Sequence, residues 1–160
     1  MYTTVTPSWA YTLRLPHDPR SAGIARSTLR AVLRSHGMDR LTDTAELLTS
    51  ELVSNAYRHS RGPCALRVRA MAPERVRVGV WDTNPAIPAP FTEAPAPPGP
   101  DAEDADDTDT DTDTDTATDT DIAAEDGRGL LLVRLCAERY GAYRLDGAHR
   151  GKLLWVECGP

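Results

Sequence analysis

Residues 46–55 read Glu-Leu-Leu-Thr-Ser-Glu-Leu-Val-Ser-Asn, and this stretch decides the fold class and the first candidate site. At about 100° per residue, the apolar residues around it fall on one side of a helix: Leu41, Ala45, Leu48, Leu52 and Ala56. Asn55 lies inside that apolar stripe, and Glu51 lies on its edge one turn away. A polar pair aimed toward a core needs partners, which a metal ion with a polarised water or hydroxyl would supply. The alternative is a solvated polar pair at the rim of a packed helix.

The composition indicates one folded domain and a separate acidic segment. The 160 residues are 40% apolar, which is enough for one core, so we expect a single domain over residues 1–160. Residues 101–126 hold 13 acids and no Lys or Arg, so the net charge of −6 leaves +7 on the remainder. A mildly basic body suits an anionic ligand such as a nucleotide. Because no Lys/Arg cluster has interleaved aromatics, direct nucleic-acid binding is not expected.

Several classes of protein are disfavoured by what the sequence lacks. Met1 to Ala10 has neither a basic start nor an apolar run, and no stretch approaches the roughly 20 apolar residues of a membrane span. We therefore expect a cytoplasmic protein with no membrane partner. Cys64, Cys136 and Cys158 show no C-x-x-C spacing, which favours reduced thiols over a zinc site or a disulfide framework.

Helical and strand periods alternate along the chain in an α+β order. The predicted elements are, in order, a helix from Asp18-Pro19 to Gly37, a helix from Asp43 to His59, a strand over 64–70, a strand over 76–80, a helix from the 127–130 region to Gly141, and strands over 143–145 and 153–157. Because only the turn at Pro73-Glu74 separates the first two strands, they should form a hairpin.

Asp82 ends the second strand on the face that Val76, Val78 and Val80 share, since side chains alternate with period two. A carboxylate at the end of an apolar row should have a partner. Loop amides or an arginine are the structural alternative to a ligand.

Residues 85–125 form a low-complexity insertion. Residues 85–100 contain seven of the 13 prolines, and residues 106–121 are mostly Asp-Thr repeats. Such a segment has little to bury and repels itself, so we expect disorder, and its length is typical of a lid or an insertion.

Gly127-Arg128-Gly129-Leu130 follows the insertion and precedes an apolar helical pattern. Glycines at a helix start let backbone N–H groups approach a phosphate, with the positive end of the helix dipole behind them. The alternative is a flexible hinge.

The order of these features resembles the GHKL ATPase superfamily and, within it, the small stand-alone anti-sigma-factor kinases of actinobacteria. Residues 51–59 resemble the family's N-box, residues 126–133 its second glycine box, and Gly151-Lys152 with Trp155 its closing strand. The likeness covers about residues 14–157 outside the insertion.

The resemblance implies a Bergerat-type two-layer α/β sandwich, with a mixed sheet covered on one face by helices and a long disordered lid. It implies ATP and Mg²⁺ as cofactors. By position, Asn55 would coordinate Mg²⁺, Glu51 would orient or deprotonate a serine hydroxyl, and Asp82 would accept from the adenine amino group. The cofactor-binding turn would be Gly127, Arg128, Gly129 and Leu130, with its amides on the phosphates.

The implied function is a serine/threonine kinase that phosphorylates a STAS-type anti-sigma antagonist and sequesters a sigma factor. The alternative is a nucleotide-binding switch without kinase turnover. Because relatives are usually dimers, a homodimer is one option for the oligomeric state, which the sequence leaves open. Two departures concern the pocket. Thr83-Asn-Pro-Ala-Ile-Pro88 stands where the family usually has further glycines, and Leu153 and Leu154 stand where many relatives keep a threonine.

Overall fold

Residues 8–93 and 123–159 are described by a computed structural model, with the backbone alone described for residues 123–129. In chain order the elements are β1 (Ala10–Leu15), α1 (Ser21–Ser35), α2 (Thr42–His59), β2 (Cys64–Ala72), β3 (Arg75–Asp82), α3 (Ala123–Cys136), β4 (Arg139–Leu145) and β5 (Gly151–Cys158). The part of the predicted lid at residues 94–122 lies outside the described residues.

Within the described ranges, five strands form one sheet in the order β1-β2-β3-β5-β4, and all four pairings are antiparallel. The α+β prediction is confirmed, but the expected mixed sheet is wrong for these strands. The reason lies in the helices. Arg26 contacts Ser50 and Arg30 contacts Glu46, so α1 and α2 run antiparallel. This helical hairpin returns the chain to the end of the sheet where β1 finishes, and β2 starts there opposite Leu15.

The helices cover one face of the sheet, as predicted. Helix α2 contacts β2, β3 and β5, and both α1 and α3 contact α2. Alternate residues of the three central strands meet α2 with almost no exposure: Leu66, Val68, Val78, Val80, Leu154 and Val156. No helix in the described part of the chain has both the length and the apolar composition that crossing a bilayer requires.

The first half of the chain follows the predicted boundaries closely. Helix α2 begins one residue before the predicted start and ends at His59 as predicted, and the strand hairpin is confirmed. Helix α1 begins at Ser21, later than predicted. Asp18 instead makes a turn before the helix, with its carboxylate 2.8 Å from the Arg20 amide and its carbonyl 3.0 Å from the Ser21 amide. Hydrogen bonds from Arg20 lower the pKa of Asp18 to about 2.

The start of the predicted disordered insertion is ordered. Phe91 is 2% exposed, and its ring meets the Tyr140 ring edge-on at 5.7 Å between centroids. Ile87 also packs against the core. Burial of these two apolar side chains stabilises the start of the proline-rich stretch. The ordered part of the chain therefore continues beyond residue 85, where the proline content predicts disorder.

Three elements depart further from the prediction, two in the second half of the chain and one, β1, near its start. Helix α3 begins at Ala123 and ends at Cys136, whereas we expected it to open at Gly127 and reach Gly141. Strand β4 therefore begins at Arg139, four residues before the predicted strand. Strand β1 was not predicted. Helix formers precede Gly127, which explains the early start.

Candidate functional site

Asp82 ends β3 on the helix-covered face and is 1% exposed. Its Oδ1 atom accepts two hydrogen bonds, from the main-chain N–H of Asn84 at 2.8 Å and from Lys152 Nζ at 3.0 Å. The second of these partners comes from β5, where Lys152 lies directly opposite Asp82 in the strand register. A buried carboxylate is tolerated when it is paired and hydrogen-bonded, and this one is.

The turn after Asp82 is tied to the end of α2. Asn84 Nδ2 donates to the carbonyl of His59 at 2.7 Å, and the hydroxyls of Ser60 and Thr83 lie 2.7 Å apart. Side-chain amides and hydroxyls satisfy helix-end carbonyls and loop groups in this way. As a result, the carboxyl end of α2 is held against the end of β3.

Asn55 lies one turn before His59 on α2 and is 5% exposed. Its Oδ1 atom is buried and has no hydrogen-bond partner within the described residues. A buried oxygen without a partner costs about 1–3 kcal/mol, so it calls for an explanation, and a ligand or a metal ion supplies one. An amide oxygen is a ligand that Mg²⁺ accepts.

Glu51 lies one further turn toward the start of α2 and is half-buried. A carboxylate in this position keeps some contact with solvent and can meet a second molecule. Glu51 and Asn55 therefore leave the same side of α2, as the sequence predicts. The hydrogen bonds of His59 and Ser60 bring the carboxyl end of this helix to the sheet end that carries Asp82.

The predicted cofactor-binding turn lies inside α3. The first four amides of a helix lack intrahelical partners, and in α3 these belong to residues 123–126. The amides of Gly127 and Gly129 are thus within the helical ladder, and using them on phosphates requires the first turn to open. Leu130 is 5% exposed within the core, so its side chain supports packing. The side chain of Arg128 lies outside the described part of the structure.

Cys64 lies on β2 beside the end of β3, on the helix-covered face. Burial, and to a smaller extent the negative charge of Asp82, raise the pKa of Cys64 to about 11. Burial raises the pKa of Cys158 to about 12. Both thiols stay protonated near neutral pH, which disfavours a nucleophilic role. The three cysteines are free, as predicted.

A shallow open depression lies beside the start of α1, where Pro19, Ile24 and Ser27 contribute to its walls. None of the predicted site residues lines it. Its two arginines already bond Asp18 and Ser50. The buried ion pair and the unpartnered amide oxygen make the junction of α2, β3 and β5 the stronger candidate site.

Lys152 and Asn84 belong to this junction, and the sequence interpretation assigned neither a role. One signal could have identified Lys152, because period two places it on the same strand face as Leu154 and Val156. A lysine in an apolar row needs an acidic partner. Nothing local shows that the partner is Asp82, which is 70 residues away.

Comparison with known families identifies the family to which this fold belongs. The sequence-family model described as the histidine kinase-like ATPase domain matches residues 15–157, a range that includes Glu51, Asn55 and Asp82. None of the curated proteins compared with the sequence matches it. The family match extends over almost the whole chain and agrees with the two-layer fold, so the superfamily expected from the sequence is confirmed: the chain belongs to the histidine kinase-like ATPase family.

Proposed function

We propose that the chain is an ATP-dependent protein serine/threonine kinase of the anti-sigma-factor type. Family membership implies ATP binding. The observation that carries the proposal is the unpartnered, buried Oδ1 of Asn55, one helical turn from the half-buried carboxylate of Glu51. Phosphoryl transfer needs a metal ligand, a group that positions the attacking hydroxyl and donors or acceptors that hold the nucleotide.

Each residue has a distinct role in this proposal. Asn55 would hold Mg²⁺ through Oδ1, and the residue type fits because Mg²⁺ in nucleotide sites takes one or two protein oxygens. When bound, the ion neutralises charge on the phosphate oxygens. Glu51 would orient the partner's serine hydroxyl and accept its proton as the oxygen attacks the γ-phosphorus, while the bond from the γ-phosphorus to the bridging oxygen breaks and ADP leaves. Asp82 would accept a hydrogen bond from the adenine amino group.

The proposed partners are a STAS-type antagonist, which would supply the serine, and a sigma factor, which the kinase would sequester. The support for this partner class is the resemblance of residues 51–59 and 126–133 to anti-sigma-factor kinases. The half-buried position of Glu51 is compatible with a protein substrate, since the residues that the structure describes do not enclose the carboxylate.

Label transfer tests the kinase proposal. The protein is incubated with Mg²⁺, γ-labelled ATP and candidate STAS-type proteins, and transfer to a serine is expected. Glu51→Gln should reduce the rate by at least about 100-fold, while its affinity for ATP stays within about threefold, because the residue acts on the hydroxyl. Asn55→Ala should weaken binding of ATP in Mg²⁺.

Glu46→Gln is the matched control, because Glu46 lies on the same helix but pairs with Arg30 of α1. It should leave both transfer and binding unchanged. Equal rates for the wild type and Glu51→Gln would contradict the catalytic role of Glu51.

A nucleotide-binding switch without turnover is the second candidate. The observation that favours it is the closed arrangement after Asp82, where Lys152 and Asn84 both bond Asp82 Oδ1 and proline follows Asn84. Calorimetry separates the two functions. ATP and ADP binding that Asp82→Asn abolishes, without label transfer by the wild type, supports the switch.

A further inference from the structure

Lys152 lies in a place where lysine is rare. Its side chain is 1% exposed, and Nζ lies 3.0 Å from Asp82 Oδ1 and 3.0 Å from the Asn84 carbonyl oxygen. A buried ammonium group carries a large desolvation cost, which is offset only when its N–H groups find acceptors. Lys152 therefore does more than cover the sheet end. It joins β5 to the carboxylate and to the following turn.

The hydrogen bonds of the pair leave one acceptor of Asp82 outside the network. Oδ1 accepts from Lys152 Nζ and from the Asn84 amide, and Oδ2 takes part in neither bond. Because Asn84 is itself bonded to the His59 carbonyl, the carboxylate is held from β5 and from α2 at once. The orientation of Oδ2 is thereby fixed relative to both elements.

We propose that Lys152 is a positioning residue that makes Asp82 selective for a purine bearing a 6-amino group. This inference rests on the proposed nucleotide site. With Lys152 in place the carboxylate is paired and can only accept hydrogen bonds. Oδ2 therefore favours a base that donates a hydrogen bond to it. A base without a donor at that position leaves Oδ2 without a hydrogen bond. Because a buried polar group without a hydrogen bond costs free energy, the site binds such a base more weakly.

The opposite assignment makes a different prediction. If Lys152 only stabilises the sheet end, its loss should weaken binding of every nucleotide by the same factor. If it positions Asp82, its loss should remove the preference between two nucleotides that differ in the 6-amino group alone. The ratio of two affinities therefore separates a positioning role from a structural one.

The experiment measures binding of ATP and of purine riboside triphosphate, which lacks only the 6-amino group, to the full chain by calorimetry. The wild type is expected to bind ATP at least about tenfold more tightly. Lys152→Met should bring the two affinities within about twofold of each other. Lys152→Leu, which likewise has neither a donor nor a charge, serves the same purpose should the methionine variant fail to fold.

Arg150→Met is the matched control, because Arg150 is an exposed cation two positions before Lys152, and its main-chain amide bonds Gly147 rather than Asp82. It should keep the wild-type ratio. A lysine variant that folds and retains the tenfold preference overturns the proposal, although the nucleotide site stands. A wild type that binds neither nucleotide overturns the proposed function and this inference with it.

Discussion

Gly151 begins β5 with its Cα against the main chain of Asp82. A Cβ atom at this position would lie 1.8 Å from the Asp82 carbonyl oxygen, and φ is +153°. Both the contact and the backbone conformation exclude other residues unless the strands separate. Gly151→Ala should therefore lower the free energy of unfolding by at least about 2 kcal/mol. It should also weaken nucleotide binding, since the affected carbonyl belongs to Asp82. Urea denaturation and calorimetry measure the two effects.

Gly147→Ala is the control for Gly151→Ala. Gly147 also has a positive φ, +79°, but among the described residues, its two chain neighbours aside, no atom lies within 4 Å of the position that a Cβ atom would take there. Its substitution should cost only about 1 kcal/mol of backbone strain and leave nucleotide binding unchanged. Equal losses of stability in the two variants would contradict this prediction, because they would show that the main chain of Asp82 moves away from the added Cβ atom without lowering the free energy of unfolding.

Single residues also show where sequence reasoning stops. Period two places Asp82 on the apolar face, and the structure confirms this. The same rule places Lys152 on the apolar face of β5, but the ion pair depends on the register between β3 and β5. Register is a property of the folded sheet, set by turn geometry and by which faces are buried. The sequence alone thus predicts that Asp82 lies on the apolar face, but it does not predict that Lys152 is its partner.

At the scale of elements, Arg77 and Glu157 join β3 to β5 on the face away from the helices. They lie opposite each other in register, with Arg77 Nε 3.0 Å and Nη2 2.6 Å from Glu157 Oε1. Arg77 also lies over the Trp155 ring, 4.1 Å from its centroid. Arg77→Ala removes the counter-charge of a carboxylate that is 2% exposed. It should reduce the free energy of unfolding by about 3–5 kcal/mol, measured by urea denaturation.

The double variant Arg77→Met/Glu157→Leu is the matched comparison. It removes both charges and keeps apolar volume, so it should be more stable than Arg77→Ala alone. A double variant at least as unstable as the alanine variant would mean that the stack on Trp155, rather than the ion pair, stabilises this face.

Elements with a strong local period were predictable, and those defined by tertiary contacts were not. Helix α2 and the β2–β3 hairpin combine clear periods with turn residues, and they appear within about two residues of the predicted bounds. Strand β1 is short, and among the described strands it pairs with β2 alone, about 50 residues further along the chain. Strand β4 includes Gly141, where a Cβ would come within 2.6 Å of the Trp155 ring of β5. No local pattern encodes either contact.

At the scale of the whole molecule, the candidate site is assembled from segments far apart in the sequence. Helix α2 supplies Glu51 and Asn55, β3 supplies Asp82, and β5 supplies Lys152. The antiparallel order of the sheet places β5 beside β3 although α3 and β4 lie between them in the chain. The family resemblance predicts roles for Glu51, Asn55 and Asp82 by position. The pairing of Lys152 with Asp82 follows only from the complete topology, because residue patterns place the lysine on the apolar face of β5 without indicating its partner.

The charge distribution of the whole chain leads to the last prediction. Residues 101–121 carry 11 acids, so deleting them changes the net charge from −6 to +5. Repulsion of the anionic nucleotide should fall, and ATP affinity should rise by about three- to tenfold at low ionic strength. The gain should vanish near 0.5 M salt, roughly the range where screening removes such fields. Calorimetry across a salt series measures this. Replacing the same acids by serine keeps the segment length and should reproduce the gain, whereas weaker ATP binding by the deletion at every salt concentration would mean that the segment contributes contacts of its own.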